Sequence, residues 1–237
     1  LLSHETISRA ARAFLNSLND SPNLEVKQGE ITLEVDKSLQ NIRPVILGAV
    51  VRGVNNGSNH NEKNDFIQSL MDHQEKLHLT LGRKRKFASI GVHDLSQLSP
   101  PFRVISVDKK YKFIPLAEEN EMSIENILES HPKGKEYAHL MSEMDEYPVI
   151  VDAENRVLSF PPIINGDHTT VNEQTRDFFI DVTGWDERSC EACLLLICLS
   201  LAERGGVIES VQIKNWNQEL SNVPRGDSKH HKVPDRL

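Results

Sequence analysis

Leu158-Ser-Phe-Pro-Pro-Ile-Ile-Asn165-Gly-Asp-His168, followed by Phe178-Phe-Ile-Asp-Val-Thr-Gly184, is the stretch on which the reading of this chain turns. Its first part reads as a strand that runs into two prolines, whose rings cannot donate to a ladder, so pairing is expected to stop there. A polar loop rich in hydrogen-bonding groups follows. The second part reads as another strand, in which Asp181 and Thr183, two residues apart, project from one face. A small polar cluster facing inward from buried strands suits an orienting pocket.

Working outward, Ile7, Ala10, Ala11, Phe14, Leu15 and Leu18 recur at helical spacing and predict a helix over 3–18, ended by Asn19-Asp-Ser-Pro22. Ile31–Val35 alternates like a half-buried strand. Val45–Val51 is nearly all apolar, as a strand covered on both faces would be. Asn55–Asn64 reads as a polar loop, and Phe66–Leu81 as an amphipathic helix. Lys110–Ile114 predicts a short strand, Ser123 caps a helix over Ile124–Ser130, and Lys135–Met144 predicts another helix. Pro148–Val151 and Arg156–Phe160 read as strands around a turn, and Phe178–Val182 as a third. A helix over Glu187–Glu203 stops at Gly205-Gly206 before a last strand, Val207–Ile213. Lys214–Leu237, with Pro224 and Pro234, reads as a tail or a truncated linker. The fold class is therefore α/β (α+β), a mixed sheet with helices packed on it.

The chain has 237 residues, 38% hydrophobic and 26% charged, an ordinary globular composition. Its net charge of −8 argues against a general nucleic-acid binder. One basic run, Arg83-Lys84-Arg85-Lys86, stands out. It is either a solvated helix end or a contact for an RNA phosphate. No apolar run reaches the ~18 residues of a membrane span. Cys190, Cys193 and Cys198 fall in one apolar helix without a second pair or spaced histidines, so packing is the better reading than a metal site. Reduced thiols and the absence of a leader suit a cytoplasmic protein. His73 and His78 are poorly spaced for a metal. His93-Asp94 invites a dyad reading, but neighbours on a helix point apart, so a turn or capping role is assigned.

Other blocks join the opening stretch. Leu2–Leu15, Ile42-Arg-Pro-Val-Ile-Leu-Gly48, Gln74-Glu-Lys-Leu-His78, Ile90-Gly-Val-His-Asp94 with Pro100-Pro-Phe102, and His131-Pro-Lys-Gly-Lys-Glu-Tyr137 together resemble, in order, the β subunit of archaeal and eukaryotic phenylalanyl-tRNA synthetase. The resemblance covers roughly residues 1–213. It implies the end of an N-terminal domain and linker over 1–40, the editing domain over 41–213, and a tail or truncated linker over 214–237.

It also implies hydrolysis of mischarged tyrosyl-tRNA(Phe), with an α subunit in an α2β2 enzyme and tRNA(Phe) as partners. No cofactor is expected here, and ATP and Mg only in the complete synthetase. By resemblance the pocket is lined by Ile150 against the aromatic ring, Ser159 and Asp181 at the tyrosine hydroxyl, and Thr183 at the ester or attacking water. Asn165 and His168 would position the tRNA terminus, and the basic run would meet its phosphates. A positioned water is expected rather than a Ser-His-Asp or Cys-His nucleophile. The chain departs from the family pattern at Thr170, where a basic residue is usual, and at Trp185, where a small polar one is. A non-catalytic scaffold of the same subunit and a free-standing amino-acid or RNA-binding protein are the alternatives.

Overall fold

Runs of valine, isoleucine and phenylalanine carry stiff or flat side chains that pack well on a pleated surface, and they supply the central strands. The computed structural model describes residues 3–15, 25–217 and 219–224. In chain order the elements are α1 (His4–Phe14), β1 (Val26–Lys27), β2 (Thr32–Val35), β3 (Val45–Arg52), α2 (His60–Leu79), β4 (Ala88–Asp94), β5 (Phe102–Val107), β6 (Lys112–Phe113), β7 (Met122–Ser123), α3 (Ile124–Ser130) and α4 (Pro132–Tyr137). They continue with β8 (Tyr147–Val151), β9 (Val157–Phe160), β10 (Ile164–Asn165), β11 (Phe178–Gly184), α5 (Glu187–Ala202), β12 (Val207–Lys214) and β13 (Leu220–Val223).

β12 joins two halves of one mixed sheet. Its first half pairs antiparallel with β3, beyond which lie β11 and then β4. Its second half pairs in parallel with β2, and the order continues through β5, β8, β9 and β10. β1 and β13 also pair with β12. The expected α/β class with a mixed sheet is what the chain adopts.

α5 packs on β3 and β11, burying Leu194, Ile197, Cys198 and Leu201 with Ala49 and Ile180. Fully burying one such aliphatic side chain stabilises by about 1.5–3 kcal/mol. All three cysteines lie in this core as free thiols, and burial pushes each up to about 12. A second, smaller core forms where Ile124, Ile127 and Tyr137 close over Val149, Val151, Val157 and Phe160. Ile150 belongs to the main core, as alternation between Val149 and Val151 requires, and Leu158 joins it where the β8–β9 register shifts. No helix among the described residues is long and apolar enough to cross a membrane.

Several expectations are corrected. The strand expected over Ile31–Val35 forms as β2, between β12 and β5, and is preceded by the unexpected β1. The polar stretch Asn55–Asn64 is only half loop, because Asn59 caps α2 by accepting from Glu62 N at 3.1 Å and the helix begins at His60. The helix expected over Lys135–Met144 begins earlier, at Pro132, whose missing N–H suits a first turn, and gives way to a 3-10 turn at Ala138. The strand expected over Lys110–Ile114 shrinks to Lys112–Phe113. Pairing resumes after Pro161-Pro162, where Ile164 and Asn165 turn back onto Phe160 and Ser159. The expected tail begins with β13, which pairs with β12 from Val211 to Lys214. α1 leaves Phe14 and Leu15 exposed and is held through its polar side, by Glu5 to Arg204 at 2.7 Å and by Arg9 and Arg12 to Glu203. The expected end of that helix, Asn19–Pro22, lies outside the described residues.

Candidate functional site

Strand register builds a polar pocket from two walls. On β11, Asp181 stands opposite Gly48 and Gly91, and Thr183 stands opposite Ile46 and Ser89. On the other wall Ser159 stands between Ile150 of β8 and Asn165 of β10. Residues directly opposite in a ladder share a face, so each wall presents a defined row. Between them lies a cavity of about 480 Å³ lined in part by Asp181, Ser159, Asn165, Ser89, Gly91 and Glu75.

Asp181 is 1% exposed, and its Oδ2 accepts from His93 Nε2 at 2.7 Å. The other ring nitrogen, Nδ1, lies 2.9 Å from the Thr169 hydroxyl, which also reaches the Gly166 carbonyl at 3.0 Å. His93 packs face-on against Phe179, its partner across the ladder, with ring centroids 5.9 Å apart. The order hydroxyl, imidazole, carboxylate is that of a nucleophilic triad, which the sequence did not suggest. Thr169 lines the cavity, but its hydroxyl already reaches the Gly166 carbonyl and His93 is wholly buried, so the row is read as a clamp that fixes the carboxylate. Fixed in this way, Asp181 keeps a buried oxygen, Oδ1, without a partner among the described residues. An unmet buried acceptor costs about 1–3 kcal/mol until something donates to it. Gly91 makes the arrangement possible, because a Cβ there would lie 2.0 Å from Asp181 Oδ2 and 2.6 Å from His93 Nε2.

Arg43 is 3% exposed, and among the described residues its hydrogen bonds go to hydroxyls and carbonyls rather than to a carboxylate. Its Nε donates to Thr183 Oγ1 at 2.7 Å, and its Nη2 reaches Ser89 Oγ at 3.0 Å and the carbonyls of Thr183 and Arg85 at 2.8 and 3.0 Å. Burial lowers its pKa to about 10, so it remains a cation near neutrality.

Residues 42–193 match the B3/4 domain family. The chain belongs to that family. It is homologous to the phenylalanine–tRNA ligase β subunit of Methanosarcina acetivorans, 48% identical over 213 residues that make up 90% of this chain and 38% of that protein. The β subunit of Thermococcus onnurineus is 40% identical over 93% of this chain and 38% of its own length. The chain thus spans well under half the length of the curated relatives it matches. Among solved structures, an N-terminal fragment of the phenylalanyl-tRNA synthetase β subunit from Pyrococcus horikoshii superimposes with a TM-score of 0.88 at 37% identity, over 94% of this chain and 62% of that one.

In this B3/4 domain a third polar group stands at the cavity wall. Glu75 Oε1 accepts from Arg85 Nη2 at 2.6 Å and lies 3.4 Å from His78 Nδ1, while His78 Nε2 accepts from Ile90 N at 2.8 Å. The His78 hydrogen bond, with the Arg85 charge, holds the Glu75 carboxyl down at about 2 against the opposing effect of burial. Its pKa is below the ordinary value, so its contribution to stability is full above about 4.5 and is lost as pH falls toward 2. The Glu75→Gln variant is expected to lose less stability than the wild type between about pH 5 and 3, as urea unfolding at each pH would record.

Arg85 is not the surface cation expected from the basic run. It is 7% exposed, lies 4.4 Å over the Tyr137 ring, and donates to the Pro162 and Ile163 carbonyls, holding the turn after β9. Arg83, Lys84 and Arg85 all have left-handed backbones, with φ of 48°, 55° and 65°, which turns Arg85 inward and leaves Arg83, Lys84 and Lys86 exposed.

The remaining expected site residues divide. Asn165 lines the cavity beside Ser159, and its side chain reaches the Val92 carbonyl at 3.4 Å. Ile150 is fully buried beside Ser159, its ladder partner, and Thr183 is buried beside Ser89; neither lines the cavity. His168 is half-buried beside the cavity rather than in its lining, and burial pushes its imidazole below the ordinary value. Of the two departures from the family pattern, Thr170 lines the cavity while Trp185 is 48% exposed and does not. Arg43, Ser89 and His93 were missed. For two of them a signal existed, since Ser89, Gly91 and His93 alternate as one face of a strand does.

Proposed function

We propose that the chain is part of a phenylalanine–tRNA ligase β subunit and that its cavity hydrolyses the ester of mischarged tyrosyl-tRNA(Phe). The observation that carries this is Asp181 at the wall of a cavity otherwise lined largely by apolar groups, with its Oδ1 unmet among the described residues. Tyrosine differs from phenylalanine by one hydroxyl, and an apolar pocket rejects an added hydroxyl only about a hundredfold. A site with a waiting acceptor reverses the preference, because phenylalanine would leave that acceptor unpaired. Ser159 and Asn165 on the facing wall provide further polar contacts, and Ile150 stands beside Ser159 in the ladder.

In this reading the ester end lies toward the cavity mouth, near Asn165 and Thr170, and a positioned water attacks it. With Thr169 clamped at His93, no exposed nucleophile is required of the protein. Arg83, Lys84 and Lys86 flank the turn that borders the cavity and are assigned to tRNA phosphates. The complete enzyme would pair this subunit with an α subunit as α2β2 and use ATP and Mg there to charge the tRNA in the cytoplasm.

The test is deacylation of tyrosyl-tRNA(Phe) and phenylalanyl-tRNA(Phe) by the chain at low and raised salt. The expected result is tyrosyl hydrolysis faster by at least about tenfold, weakening as salt displaces phosphate contacts. Equal rates for both esters, each at the rate in buffer, would overturn the reading.

A further inference from the structure

We propose that Ser89 is a specificity-determining residue of this cavity, the hydrogen-bond donor that works with Asp181 as acceptor to hold the phenolic oxygen of a tyrosyl ester. The inference rests on the editing reading and adds to it a residue and a direction of hydrogen bonding.

The direction follows from counting protons. Thr183 Oγ1 accepts from Arg43 Nε at 2.7 Å, and Ser89 Oγ accepts from Arg43 Nη2 at 3.0 Å. The two hydroxyls are 3.1 Å apart, so one donates to the other. Thr183 is 1% exposed and does not line the cavity, and the one acceptor within reach of its proton among the described residues is Ser89 Oγ. Thr183 therefore donates to Ser89. Ser89 then accepts from Thr183, shares the two protons of Arg43 Nη2 with the Thr183 and Arg85 carbonyls, and still holds its own proton. Its protein acceptor for that proton is the Thr183 carbonyl at 3.5 Å, too long to compete with a well-placed ligand oxygen. Arg43 and Thr183 are positioning residues, and the proton they leave to Ser89 is directed at the cavity that Ser89 lines.

Placement completes the argument. Ser89 and Gly91 are two residues apart on β4 and share a face, and Asp181 stands directly opposite Gly91. A donor and an acceptor thus stand diagonally across the β4–β11 ladder on one face, both at the cavity wall. A phenolic hydroxyl is both donor and acceptor, and it satisfies the pair at once: it gives its proton to Asp181 Oδ1 and accepts that of Ser89. A phenylalanyl ring satisfies neither.

The test compares tyrosyl-tRNA(Phe) with phenylalanyl-tRNA(Phe) hydrolysis, as kcat/KM, in the chain and in its Ser89→Ala variant, with circular dichroism to verify folding. The tyrosyl-to-phenylalanyl ratio is expected to fall about tenfold in the variant. Ser89→Cys, which keeps the volume and weakens the donor, gives the same reading if the alanine variant does not fold. An unaltered ratio in a folded variant, with the chain itself selective, overturns the role of Ser89 alone. A chain that spares both esters overturns the editing reading and Ser89 with it.

Discussion

Gly91→Ala is expected to reduce tyrosyl-ester hydrolysis by at least about a hundredfold while leaving the fold recognisable. The added Cβ would fall 2.0 Å from Asp181 Oδ2, 2.6 Å from His93 Nε2 and 2.9 Å from Asp181 Cγ. None of these atoms is the free end of a flexible side chain: the carboxylate is tied to His93, and His93 is wedged between Phe179 and Thr169. Something must shift, and the group that shifts is the one assigned to the tyrosine hydroxyl. A displacement of about 1 Å at such a group is enough for a loss of about a hundredfold. Overpacking of this kind also costs about 1–3 kcal/mol of stability. Steady-state deacylation and a thermal melt of one sample check both. Activity kept within a few-fold of the wild type would show that the His93–Asp181 pair is not what the cavity uses.

The second large effect is on stability. Arg43→Met is expected to destabilise the chain by about 2–4 kcal/mol, because it leaves buried hydroxyl and carbonyl groups without their donor. For a chain of this size that corresponds to a melting temperature lower by roughly 5–15 °C. Arg43→Lys is not expected to restore it, since an ammonium cannot reproduce a planar fork that serves Thr183, Ser89 and Arg85 together. Calorimetry on the three proteins decides the matter. A lysine variant as stable as the wild type would mean that the charge alone, rather than the fork, is what this core requires.

These two sites show where reading the sequence succeeded and where it stopped. Continuous apolar runs such as Val45–Val51 and the alternation of Asp181 with Thr183 are local signals, so the class of fold and one wall of the cavity were legible. Which residues stand opposite them is a matter of ladder register over long sequence separations, and nothing local reports it. The stretch Ile90–Asp94 illustrates this. His93 was weighed against its neighbour Asp94 and set aside, when its partner is Asp181 on the adjoining strand. Asp94, by contrast, does cap a short 3-10 turn through Ser96 N at 2.9 Å, a contact within reach of sequence reasoning. Arg85 looked like one of four surface cations because a basic run is read by composition. Its direction was decided by three successive left-handed residues and by the carbonyls exposed after Pro161-Pro162. β13 escaped notice for a related reason: a short polar strand forms only because β12 offers it an edge.

The central claim is that a buried carboxylate oxygen reads the tyrosine hydroxyl. A crystal structure of the chain with a non-hydrolysable 3′-tyrosylamino-adenosine tests it most directly. The account predicts the phenolic oxygen about 2.5–3.0 Å from Asp181 Oδ1, with the ring between the Ser159 and Gly91 walls. A ring lodged elsewhere, or a hydroxyl turned to solvent with Oδ1 still unmet, would contradict it.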